Sequence, residues 1–333
     1  MRFLLKTIGF LLVAGLLLAA AVLAWGHLQI HRVNPPLPDP EEILNPDRSI
    51  ELPVRLTWIN TASQRMPRSS VLEPEVDPHP DAPYTMSHPS FVVEWQDGRI
   101  FLIDLGMDAS AAVSFGLASE LAAGADPIEP HRSTSARLGK NRTRVAGIGF
   151  THMHTDHTNG LLRLCQDLGP RGRGPNRIPV FQHHYQLSQG NHTTRPARLQ
   201  LDEVDCIERR SLGSESGLIA VPEFPGVFAV PVGGHTPGST MYVVLVRVLP
   251  GNSTGRYDDI QTWVITGDVV NHYQGIELNL PKPKLYSLLV VPESEDRLHR
   301  VRSFLKKLST KPGVSLLISH DQNHLEATAL PTY

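Results

Sequence analysis

Residues 8–25 carry no charge, with Arg2 and Lys6 before them and Arg32 after. No other part of the chain is read as a membrane-length run; the remainder is a series of short apolar stretches set in polar sequence. Residues 54–59 alternate apolar and polar, as a half-buried strand does. Residues 91–95 and 99–103 flank Gln96-Asp97-Gly98, and Asp-Gly between two apolar runs predicts a hairpin. Further strands are predicted at 145–150, 178–181, 227–232, 241–249, 262–265 and 314–318, with a Gly251-Asn252-Ser253 turn after the 241–249 run. Helical spacing marks 111–123 and 160–168. It also marks 294–308, where Leu298, Val301, Leu305 and Leu308 sit amid charges and Lys306 and Lys307 suit the helix C-terminus. Residues 62–90 and 182–208 show little periodicity. The first is rich in Pro, Ser and His and is expected to line a cleft or cover a sheet. On pattern alone the fold is mixed α/β.

The chain has 333 residues and a formal net charge of −2, with no long basic run, so nucleic acid is not an expected partner. The apolar N-terminal run exceeds the ~7–15 residues of a signal-peptide core and reaches the ~18–20 needed to cross a bilayer. Small residues at Ala19-Ala20-Ala21 and Val22-Leu23-Ala24 resemble cleavage sites, so a signal remains the alternative to an anchor. Two positive charges before the run favour an inside N-terminus, which puts the rest outside the cytoplasm. The expected division is an anchor or signal at 1–26, a Pro-rich extended linker at 27–53 and a catalytic domain at 54–333. Cys165 and Cys206 either pair, as an oxidising compartment permits, or are two buried thiols.

The chemistry concentrates in Thr151-His152-Met153-His154-Thr155-Asp156-His157, between a predicted strand and a predicted helix. Imidazole and carboxylate are ligands of zinc and similar ions, and α/β proteins place their sites at strand C-termini. His152 and His154 project to one side of an extended loop, while Asp156 and His157 follow where the chain turns. Three more candidates each follow a strand-like run: His235 in Gly233-Gly234-His235-Thr236-Pro237-Gly238, Asp268 in Thr266-Gly267-Asp268, and His320 in Ser319-His320-Asp321. Five histidines and two aspartates in that placement are hard to explain as core or surface residues. His183, His184, Tyr185 and His192, in the polar 182–208 stretch, are expected to be solvated loop residues.

This ordered set, together with Phe101-Leu102-Ile103-Asp104-Leu105-Gly106, resembles the metallo-β-lactamase-fold hydrolases from about Ser90 to the C-terminus. The resemblance implies a four-layer α/β/β/α sandwich. It implies that His152, His154 and His235 hold one metal ion, that Asp156, His157 and His320 hold a second, and that Asp268 bridges them. Asp104 would support the metal loop from behind. Two zinc ions are implied first, although this nitrogen and oxygen set also suits iron, manganese or cobalt. They would share a hydroxide nucleophile, with Asp156 orienting it or relaying a proton to the leaving group. The family's β-lactamases carry cysteine or serine at the Asp268 position; aspartate occurs in its lactonases, thioesterases and phosphodiesterases. His320-Asp321 and the His235-Thr236-Pro237-Gly238 turn look most like the acyl-homoserine-lactone lactonases, which often carry a tyrosine where this chain has Asn271. The expected activity is hydrolysis of a carboxylic ester or lactone. Phosphodiester or thioester hydrolysis is the alternative, with β-lactamase and di-iron redox chemistry behind it.

Overall fold

The computed structural model describes residues 2–28, 32–44, 51–169, 174–188, 201–213, 217–247 and 260–333. The expected Gly251-Asn252-Ser253 turn and His192 lie outside these.

Among the described residues, seven strands form the first sheet: β1 Arg55–Pro67, β2 Pro83–Glu94, β3 Ile100–Ile103, β4 Glu129–Pro130, β5 Val145–Gly149, β6 Ile178–Gln182 and β7 Ile207–Ser211, in the spatial order β4-β1-β2-β3-β5-β6-β7. Five form the second: β8 Ile219–Ala220, β9 Val227–Pro231, β10 Thr240–Arg247, β11 Ile260–Ile265 and β12 Val314–Leu317, in the order β12-β11-β10-β9-β8. The hairpin forms as its turn residues predict: Phe91 pairs with Ile103 and Glu94 with Ile100, and Gly98 takes a φ of +88° that its missing side chain permits. From β3 onward the first sheet is parallel, through β5, β6 and β7.

Period-two alternation sorts the side chains into layers. Phe91, Val93, Phe101 and Ile103 of the first sheet meet Ala229, Tyr242, Val244 and Ile265 of the second in one central core. On the outer face of the first sheet, Val92, Leu102, Ile148 and Val180 pack on Leu161, Leu164 and Leu168 of the helix Gly160–Leu168. On the outer face of the second, Met241, Val243, Leu245 and Val264 pack on Leu298, Val301, Leu305 and Leu308 of the helix Glu295–Ser309. The result is the four-layer α/β/β/α sandwich.

Two expectations are corrected. Both ends of the 62–90 stretch are strand: β1 and β2 pair from Arg55–Glu94 out to Pro67–Pro83, with an irregularity between Asn60 and Ser63. Several of its polar residues are buried with hydrogen-bond partners. Thr61 Oγ1 donates to the His88 carbonyl (2.7 Å), Gln64 Nε2 to the carbonyls of Gly116 (3.2 Å) and Asp126 (3.0 Å), and Ser87 Oγ to the Ser319 carbonyl (2.8 Å). The supposed linker also docks onto the domain in its described part. Ile43 is buried in the outer core of the second sheet, and Arg297 Nη2 donates to the Pro35 carbonyl (2.6 Å). Cys165 and Cys206, whose Cα atoms are 5.5 Å apart, are joined as a disulfide, tying the helix Gly160–Leu168 to the residue before β7. The helix Arg2–Leu28 makes no buried contact across its apolar window.

The two sheets approach closely at Gly149, the last residue of β5. A Cβ there would lie 2.4 Å from Tyr242 Oη, and Tyr242 is fully buried. Gly149→Ala is therefore expected to lower stability by about 1–3 kcal/mol, read as a lower urea midpoint. Adding Tyr242→Phe removes the clashing hydroxyl, which has no hydrogen-bond partner among the described residues, and should recover part of the loss.

Candidate metal centre

The loop after β5 is held by one carboxylate. Asp104, the first residue past β3, takes a left-handed φ of 58° and is completely buried. Its Oδ1 accepts the Thr151 backbone N–H (2.8 Å), and its Oδ2 accepts Thr151 Oγ1 (2.8 Å) and lies 2.9 Å from His157 Nδ1. The parallel neighbours β3 and β5 thus end in a clamp that fixes both ends of the 151–157 loop. The short helix Thr155–Thr158 then turns Asp156 and His157 inward.

All seven expected residues converge there and are buried. His152, His154, His235 and Asp268 each offer an atom within 4.8 Å of the others, as do His157, Asp268 and His320. Asp268 belongs to both groups. Its Oδ2 lies 3.8 Å from His152 Nε2 and 3.5 Å from His235 Nε2, its Oδ1 lies 3.2 Å from His157 Nε2, and His320 Nε2 is 3.1 Å from both oxygens. Asp156 sits to one side. Its Oδ2 is 3.6 Å from His157 Nε2 and 3.5 Å from His320 Nε2, and it groups with His320 and with His88, whose Nδ1 is 3.4 Å away.

Like His157, two further imidazoles are oriented from the far side. His320 Nδ1 faces the Ser87 carbonyl at 2.7 Å, so it is the donor and Nε2 points inward. His235 Nδ1 faces Glu293 Oε1 at 2.5 Å. Glu293 in turn accepts from Lys282 Nζ (2.7 Å), which also donates to the Asp268 carbonyl (2.7 Å). This buried trio braces two inward-facing residues at once.

The electrostatics divide the centre. Burial, reinforced by neighbouring imidazoles, pushes His152 well below the usual histidine value and His154 down to about 3, and burial beside Lys282 lowers His235. These three are neutral, the form that ligates. His157 is raised despite burial by Asp104, Asp156 and Asp268, and His320 despite burial by Asp268 and Asp156. Asp156 and Asp268 are depressed despite burial, the first chiefly by His157 and the second chiefly by His320. Facing nitrogens are close: 2.9 Å for His152 Nε2 and His154 Nδ1, 3.2 Å for His154 Nδ1 and His235 Nε2, and 3.3 Å for His157 and His320 Nε2. Lone pairs tolerate that spacing only around a proton or a cation. Tetrahedral zinc bonds of ~2.0–2.1 Å would put neighbouring nitrogens about 3.3 Å apart, so the donor set fits divalent ions.

Sequence reasoning missed Lys282, Glu293 and His88. Lys282 lies in Pro281-Lys282-Pro283 and Glu293 in Val291-Pro292-Glu293; a lone charge beside proline was the only signal. His88 is fully buried on β2, inside a stretch read as irregular. His183 is also buried, not solvated, while His184 is exposed as expected. Asn271 is buried and its carbonyl accepts Tyr84 Oη (2.8 Å), whereas Tyr273 stacks on His324 with centroids 4.3 Å apart.

No curated protein matches the chain in sequence. Among solved structures, an N-acyl homoserine lactone hydrolase with N-hexanoyl-L-homoserine at its catalytic metal centre is 16% identical, with a TM-score of 0.58 over 85% of this chain and 98% of that one. A variant of AiiA from B. thuringiensis with N-decanoyl-L-homoserine at its active site gives 16% and 0.57, over 85% and 98%. A quorum-quenching N-acyl homoserine lactone lactonase gives 15% and 0.55, over 83% and 95%. At these identities the likeness is one of fold. The family model described as the metallo-beta-lactamase superfamily matches residues 84–320, a span that runs from the start of β2 to the last inward-facing histidine. The chain therefore belongs to the metallo-beta-lactamase superfamily and is a metal-dependent hydrolase.

Proposed function

We propose that this protein is a dinuclear zinc hydrolase acting on a carboxylic ester or lactone. The observation that carries the reading is the Asp268 carboxylate, which belongs to both sets of imidazoles: its Oδ2 is 3.5 Å from His235 Nε2, its Oδ1 is 3.2 Å from His157 Nε2, and His320 Nε2 is 3.1 Å from either oxygen. His152, His154 and His235 would hold one ion, and Asp156, His157 and His320 the other, with Asp268 shared. When bound, a zinc pair lowers the pKa of a shared water toward ~7 and polarises a carbonyl oxygen.

The chain's own residues supply the rest. Asp104, Glu293 and the Ser87 carbonyl fix the rings of His157, His235 and His320, which limits the reorganisation that binding needs. Asp156 is ionised and its Oδ2 faces His320, His157 and His88, so it can orient the attacking water and carry its proton to the leaving oxygen. An aspartate rather than a cysteine or serine at position 268 favours ester or lactone substrates over β-lactams. The turns at His235 and His320 and the product-bound lactonase structures of the same fold support a lactone. We further propose that residues 54–333 form the catalytic unit, and that the helix ending at Leu28 anchors it outside the cytoplasm. A 23-residue apolar segment and a disulfide support that placement.

Elemental analysis of the purified full-length chain is expected to find two zinc ions per chain, beside turnover of lactones or aryl esters in a panel that also holds a phosphodiester and a cephalosporin. Asp268→Ala should lose metal and at least about a thousand-fold in rate, more than the ~3 kcal/mol typical of one oxyanion donor. Phosphodiester turnover alone, or metal-free material indifferent to added zinc, would reject the reading.

The Lys282–Glu293 pair can be removed without leaving a buried charge. Lys282→Met/Glu293→Leu should keep the far-UV spectrum and weaken zinc about 10–100-fold in chelator competition, because His235 loses its brace.

A further inference from the structure

The helix Lys284–Leu289 has two unlike faces. Inward, Tyr286 lies under Lys282, with Nζ 5.3 Å from the ring centroid, and Ser287 Oγ is 3.3 Å from Glu293 Oε2. Both partners brace His235 and Asp268, so this helix forms a wall of the metal centre. Outward, Leu285, Leu288 and Leu289 recur at helical spacing, Val290 follows, and the four are 67%, 46%, 62% and 56% exposed. A cluster of bare aliphatic side chains on a wall of the site calls for a covering partner.

The N-terminal helix identifies that partner. His27 Nε2 lies 2.8 Å from the Leu288 carbonyl, which places the aliphatic cluster beside the last turn of the apolar segment Lys6–Leu28. At ~1.5 Å per residue those 23 residues span about 35 Å, enough for the ~30 Å hydrocarbon core with the last turn at the headgroups. Trp25, exposed two residues before His27, is a residue type favoured at that level. A surface tied to that turn lies where acyl chains meet headgroups.

We propose that Leu285, Leu288, Leu289 and Val290 form a lipid-docking face that enters the outer surface of the bilayer holding the N-terminal helix. The proposal rests on the reading of that helix as an anchor. It sets the membrane boundary about one helix diameter, ~10 Å, beyond the Lys282–Glu293 pair that braces the metal centre. Amphiphilic esters and lactones that partition into a leaflet would meet the centre there.

The test uses the full-length chain in vesicles of phosphatidylcholine and phosphatidylglycerol, 4:1. Its two cysteines are joined, so an added thiol takes a nitroxide cleanly. Leu17→Cys, Leu289→Cys and Gln96→Cys are labelled singly, and collision with oxygen is compared with collision with a water-soluble nickel chelate. Gln96 lies in the β2–β3 hairpin, at the strand ends away from the centre. The label at 289 is expected to show an oxygen-to-nickel ratio several-fold above that at 96, lower than that at 17, as a shallow position should. A water-like ratio at 289 with a lipid-like one at 17 would overturn the docking face and leave the anchor standing. Water-like ratios at both would end both readings. Low collision with both reagents at 289 would mean that protein covers the face, a second copy or another chain, and would overturn the proposal as well.

Discussion

Burial of carboxylates among imidazoles is the constraint to which the rest of this structure answers. Asp104, Asp156 and Asp268 are all withdrawn from water within one pocket, and ionised carboxylates there need positive partners close by. Without cations, His157 and His320 serve as those partners, and their raised proton affinity reflects it. Divalent ions at the two clusters would supply the charge instead and expel those protons, so metal binding and protonation oppose one another. Metal also becomes part of what stabilises the fold, since the strands that deliver these residues belong to both sheets. Asp268 follows β11 and His320 follows β12, while Asp104 and the 151–157 loop follow β3 and β5.

Much of this is legible in the sequence. Ligand-type residues at strand ends announce themselves by composition, because nothing else explains a run such as His152-Met153-His154-Thr155-Asp156-His157. Strands buried on both faces, such as β10, read as continuous apolar runs, and the helix Glu295–Ser309 shows its buried stripe. The long arms of β1 and β2 do not read as strand. Their buried positions include Thr61, Gln64, Ser87 and His88; Thr61 bonds across the strand pair, and the partners of Gln64 and Ser87 come from distant segments. A pattern that scores polar residues as exposed cannot find a strand whose interior is hydrogen-bonded. Lys282 and Glu293 are hidden for a similar reason. Their burial depends on each other and on His235, which lies far back in sequence.

The extended β1–β2 arms give the centre a second support. Beyond them, Arg68 forms a buried bidentate pair with Asp77 (both bonds 2.7 Å), and Lys284 N–H donates to Glu73 Oε2 (2.8 Å). Tyr84 Oη donates to the carbonyls of Asn271 and His320, at 2.8 and 2.6 Å. The 68–84 segment therefore closes on 271–284 and fixes the backbone on either side of the centre. It is a structural brace where sequence alone suggested a cleft lining or a cover over the sheet.

The segment from Asn271 to Glu293 carries the most functions per residue. It meets the β1–β2 arms, braces Asp268 and His235, and shows its aliphatic face beside the N-terminal helix. This is also where the chain departs from the lactonase motif, with a buried Asn271 whose backbone is committed to Tyr84. A tyrosine side chain at 271 would have to share that packed site with the arms. At the position of the departure, then, the arms hold the backbone through the Tyr84 bond to the Asn271 carbonyl. Tyr286, on the helix that separates the metal centre from the aliphatic surface, is the aromatic residue this segment places there.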